Sequence, residues 1–166
     1  KLWDGIRYPV GQVMEDLYTA PRVFYQAKKI AITKNSLYFY SHENKGSIMS
    51  NGGAKYIRLK YGQFLAWREH EAVARVFNPL YVEECARKAL RAGIRAYMLN
   101  VGENELSHYE QGEIISFLQD HTGTKGKQLV QFSRYLILHN SLWLRPLGKI
   151  QRIIVDRQQK RRAMRR

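Results

Sequence analysis

Twelve lysines and arginines crowd residues 125–166, against a single acid, Asp156. Such side chains neutralise phosphates: each contact releases condensed counterions, and an arginine fork grips two phosphate oxygens at once. The run ends in 157–166, RQQKRRAMRR. Residues 1–124 hold sixteen bases and thirteen acids, so most of the formal net charge of +14 belongs to the tail. One sign of charge at that density repels itself unless a polyanion is present, and nucleic acid is the commonest one available. The expected phosphate ligands are Lys125, Lys127, Arg145, Lys149, Arg152, Arg157, Lys160, Arg161, Arg162, Arg165 and Arg166. If six of them meet phosphate, log K should fall against log salt with a slope of about −5.

Other chemistry has weaker support. In 122–127, Gly123 and Gly126 would let backbone amides converge beside Lys125 and Lys127, but Gln128 follows Lys127 and no phosphate-loop spacing is present. An RNA phosphate contact and an ordinary basic turn both fit. His42, His70, His108, His121 and His139 lack metal-ligand spacing, so no metal is expected. Glu103, Glu105, Glu110, Glu113 and Asp120 could in principle hold magnesium for a nuclease, yet an acidic helix face explains them as well. No catalytic residue, cofactor or small-molecule substrate is assigned. Tyr38, Phe39, Tyr40, Tyr56, Tyr61, Trp67 and Trp143 suit stacking on bases, although such residues more often fill a core. No motif for sequence-specific readout appears.

The elements that must position these groups are mostly helical. Val10, Val13, Met14, Leu17 and Tyr18 share one helical face, and Pro21 divides that helix from a second carrying Val23, Phe24, Ala27, Ile30 and Ala31. Residues 36–40 are aromatic and read as a strand or a helix end; 41–54, with three glycines, read as a surface loop. A helix is expected from about Gly62 to Phe77. Asn78-Pro79 then starts another that runs to Gly93, with Val82, Cys85, Ala86, Ala89 and Leu90 inward. Residues 94–101 resemble a strand or connector. Ser107 and Glu110 have capping-box spacing for a helix to about Asp120 that carries Ile114, Ile115, Phe117 and Leu118. Leu129, Phe132, Leu136 and Ile137 form a further face. Beyond Pro146, Ile150, Ile153, Ile154 and Val155 should rest on the body before the helix leaves it as a charged arm.

The fold class is therefore mainly α: a compact body, 1–148, with one or two short strands or extended segments, and a basic C-terminal helical arm, 149–166. With 45% apolar residues among 166, the chain can bury a sizeable core. No apolar run approaches the roughly 20 residues of a membrane span. Cys85, being alone, can form neither an internal disulfide nor a cysteine zinc cluster, and fits a reducing compartment.

A helical body with the arm 157–166, one cysteine and a first residue Lys1 in place of Met resembles the accessory proteins of mitochondrial ribosomes. The resemblance implies a structural subunit in the mitochondrial matrix. Its arm would thread between rRNA segments and its body would dock on neighbouring ribosomal proteins. The rival expectation is a non-catalytic accessory subunit of a mitochondrial membrane complex, its arm against anionic lipid or acidic protein. An RNA-processing enzyme ranks third.

Overall fold

The computed structural model describes residues 1–39, 53–124 and 128–164. The expected loop at 41–54 lies outside these except for its last two residues, and so do Lys125, Lys127, Arg165 and Arg166. Within the described residues there are six α-helices and no strand: α1 Glu15–Gln26, α2 Ala54–Phe77, α3 Val82–Asn100, α4 His108–Asp120, α5 Gln128–Leu138 and α6 Leu144–Ala163. The mainly helical expectation holds; the expected short strands do not appear.

Each departure has a physical cause. Residues 94–101 are not extended, because α3 runs on through Gly93 to Asn100. Gly93 does not end the helix; it admits a neighbour. A Cβ at this position would stand 2.9 Å from Cδ2 of Phe64 on α2, so the missing side chain lets two long helices approach closely. The aromatic segment 36–39 has no regular structure, and Tyr40 lies outside the described residues. Helix α2 begins at Ala54, well before Gly62, because Ile57, Tyr61 and Phe64 recur at helical spacing and are all buried. The alternation of Ile57, Leu59 and Tyr61 suggests an extended start, but Ile57 and Tyr61 are also one helical turn apart.

At the N-terminus, the two expected helices are one. Met14, at φ 66°, is left-handed and cannot continue a right-handed helix, so α1 starts at Glu15 and excludes Val10 and Val13. It then carries Pro21 in its interior and stops at Gln26, leaving Ile30 exposed. The turn Pro79–Tyr81 is 3-10 helix and joins α2 to α3 in so few residues that the pair must run antiparallel.

The core sits between α2 and α3 and is closed by α4. Phe64, Ile114 and Leu118 are almost wholly buried, as are Cys85 and Ala89, and Phe64 meets Phe117 edge-on at 5.4 Å. Burial pushes the Cys85 thiol up, away from the reactive thiolate. The expected capping box starts α4: the Ser107 hydroxyl accepts from Glu110 N at 3.2 Å, and Glu110 Oε2 accepts from Ser107 N at 2.7 Å. α1 covers α2, while α5 and α6 lean on α3.

Candidate nucleic-acid interface

Helix α6 is continuous from Leu144 to Ala163, so the body–arm boundary at 148/149 falls inside it. Its contact with the body is not the one read from the isoleucines. Leu144, Gly148 and Val155 are buried, whereas Ile150, Ile153 and Ile154 stand about half-exposed. A Cβ on Gly148 would lie 2.7 Å from the Met98 carbonyl oxygen, so α6 crosses the end of α3 backbone to backbone. Only a glycine fits there without moving one helix.

Arg152 secures the same crossing. Its Nη1 donates to the carbonyls of Leu99 at 3.1 Å and Val101 at 2.5 Å, and its Nε pairs with Glu103 at 3.3 Å. These are acceptors left over at the C-terminus of α3, where a cation is also favoured by the helix dipole. Its guanidinium is thus already engaged within the protein.

The remaining tail cations behave differently. Arg145, Lys149, Arg157, Lys160 and Arg161 are exposed, and none has a carboxylate partner among the described residues. Asp156 beside them is exposed and also lacks an ion-pair partner there. Arg162 is placed on α6 by its backbone. On one helical turn after another, Lys149, Lys160 and Arg157 share the solvent side with Ile153, because their spacing of three to eleven residues brings them round to it.

Six of the body cations, by contrast, are paired with carboxylates. Arg22 meets Glu69 at 2.5 Å, Arg58 meets Glu110 at 2.5 Å, Arg68 meets Glu113 at 3.1 Å, and Arg75 pairs with the buried Glu71. Arg87 and Lys88 both reach Glu84. Arg134, inside the basic C-terminal region, donates to the carbonyls of His121 and Thr122, each at 3.0 Å.

Three of the five carboxylates considered for magnesium, Glu103, Glu110 and Glu113, are drawn into the same network. Glu110 holds Arg58 and the cap of α4; Glu113 accepts from Arg68 and from the Tyr61 hydroxyl. Burial and that carboxylate push the Tyr61 phenol far up. Among the described residues, no group of three or more His, Cys, Asp or Glu side chains is placed to hold a metal ion. His121 Nδ1 donates to the Phe117 carbonyl at 2.9 Å and its Nε2 lies 2.9 Å from Glu71 Oε1.

Sequence reasoning missed this division between engaged and free cations, because the partners of Arg22, Arg58, Arg68 and Arg152 lie about fifty positions away. It also missed a polar cleft of about 490 Å³ between the C-terminus of α3 and the start of α6. The only available signal was the pair Asn104 and Asn140, residues that tolerate the left-handed backbone of tight turns. No helix among the described residues is long and apolar enough to cross a membrane. No family model, curated protein or solved structure matches this chain.

Proposed function

We propose that the protein is a non-catalytic RNA-binding subunit of a ribonucleoprotein particle, a mitochondrial ribosome being the particle that the sequence resemblance suggests. A single observation carries the reading. Arg145, Lys149, Arg157, Lys160 and Arg161 stand exposed and unpaired on one helix, while Arg22, Arg58, Arg68, Arg75, Arg87 and Arg152 are matched by acids of the body. A row of uncompensated charge destabilises the isolated chain slightly and is relieved by a polyanion. RNA supplies phosphates at a spacing that a rigid helix can meet repeatedly. The arm then ties the subunit to rRNA and the body meets neighbouring proteins, through exposed apolar side chains such as Phe24, Phe77 and Leu80.

The test is co-sedimentation with the native particle before and after RNase, joined to a salt titration of the purified chain with RNA. Release by RNase and a log–log slope of about −5 support the reading; indifference to both removes it.

The half-exposed Ile150, Ile153 and Ile154 favour a second reading. Apolar residues among cations on one helix also suit an anionic lipid surface, as expected of an accessory subunit of a membrane complex. In that case the protein requires detergent for release and RNase leaves it in place.

A further inference from the structure

The cleft of about 490 Å³ falls within the roughly 300–1,000 Å³ range of ligand sites and is walled by three helices and two connections of the chain. Tyr97 and Asn100 come from α3, Asn104 from the α3–α4 connection, Gln111 from α4, Asn140 from the α5–α6 connection and Arg145 from α6. Its polar groups are oriented by the rest of the structure. Asn100 is 3% exposed, and its Oδ1 accepts from both Glu105 N and Leu106 N at 2.8 Å, which fixes which way the amide points. Asn100 lines the cleft, and its Nδ2 is left as a donor with no acceptor among the described residues. Gln111 is fixed in the opposite sense: Nε2 donates to the Leu106 carbonyl at 2.9 Å, leaving Oε1 as a free acceptor.

Tyr97 adds a half-buried ring whose hydroxyl has no protein partner among the described residues, and burial alone pushes that phenol up. Arg145 supplies an unpaired cation at the rim. No carboxylate lines this cleft. Another cleft, of about 350 Å³, is lined by Glu113 and Asp120 beside Arg68, which Glu113 already engages, and is the poorer site for a polyanion. Two of the three described non-glycine residues with positive φ, Asn104 at 57° and Asn140 at 44°, shape its mouth.

A free donor, a free acceptor, an aromatic ring and a cation within one cleft match the groups of a nucleotide: base edge, base face and phosphate. We propose that this cleft takes one unpaired nucleotide of the RNA held by the α6 cations, an inference that rests on the RNA-binding reading. The helix supplies affinity without regard to sequence or pairing; the cleft supplies a preference for a base that has left its stack. Paired RNA cannot offer such a base without unpairing.

The full chain is titrated with two RNA hairpins of matched phosphate number, one fully paired and one carrying a 2-aminopurine as a single-nucleotide bulge. The bulged hairpin is expected to bind about tenfold more tightly, with quenching of the aminopurine and the same salt slope for both. Tyr97→Leu and Asn104→Gly each abolish the preference while keeping the affinity for the paired hairpin. Circular dichroism confirms that each variant is folded; if Tyr97→Leu unfolds, Asn104→Gly, at an exposed position whose positive φ suits glycine, decides alone. Equal affinity for the two hairpins with a steep salt slope overturns the cleft and leaves the arm. A preference that survives both variants also overturns the cleft. Absence of salt-dependent binding to either hairpin overturns the cleft together with the RNA-binding reading.

Discussion

His70 on α2 places its Nε2 2.9 Å from the Leu17 carbonyl of α1. In a regular helix the amide of residue 21 would serve that carbonyl, but residue 21 is Pro21 and has no N–H. The imidazole therefore donates in its place and fastens α1 to α2. Because Nε2 must carry the hydrogen, neutral His70 is the Nε2–H tautomer.

Burial pulls the His70 pKa below its ordinary value, the bond to Leu17 opposing this only partly. The unfolded chain thus takes up a proton near pH 6.5 and the folded one only at lower pH. Stability should be level above about pH 6.5 and fall as the pH drops below it toward the folded pKa. His70→Gln, which can keep a donor, should flatten that part of the curve. Thermal unfolding from pH 7.5 to 5 checks it.

The same bond should couple to the proline. His70→Ala leaves the Leu17 carbonyl without a donor and should cost about 1–2 kcal/mol. In a Pro21→Ala background the restored amide meets the carbonyl, and His70→Ala should then cost less by roughly 1 kcal/mol. A double-mutant cycle by urea unfolding with zero coupling would contradict the assignment.

Arg152 and its neighbours on α6 should separate by assay. Replacing Arg157, Lys160 and Arg161 together by Ala should keep or slightly raise the unfolding midpoint and flatten the log–log salt slope for RNA by about 3. Arg152→Ala should leave that slope almost unchanged and lower stability by about 1–3 kcal/mol, since carbonyls of Leu99 and Val101 lose a charged donor. Gly148→Ala should also destabilise, by about 1–3 kcal/mol, through the clash with Met98. Equilibrium unfolding and RNA titrations on the same preparations measure both quantities.

Thr19 is 1% exposed, and its hydroxyl has no hydrogen-bond partner among the described residues. Thr19→Val keeps the shape and removes the unsatisfied oxygen, so it should raise stability by about 1 kcal/mol. A lower urea midpoint for the variant would show that the hydroxyl has a partner in solution.

Much of this molecule can be read from local signals. The capping box at Ser107 and Glu110, the buried stripe Cys85, Ala86, Ala89 and Leu90, and the helical character of the chain all depend on neighbours within a turn or two, where spacing alone decides which side chains share a face. Gly93 and Pro21 misled for the opposite reason. Each is a breaker by local preference, and each is held within a helix by a residue far away in sequence, Phe64 in one case and His70 in the other.

The basic C-terminal region and its expected taste for phosphate came from the sequence alone, because charge needs no fold to be counted. Which of those cations are free was decided by the tertiary structure. Arg152 and Arg157 are the same residue type five positions apart, but only the first reaches the carbonyls of α3, and the close crossing at Gly148 puts it there. The cleft is likewise invisible in one dimension, since Tyr97 and Arg145 line the same space only once α3 and α6 cross.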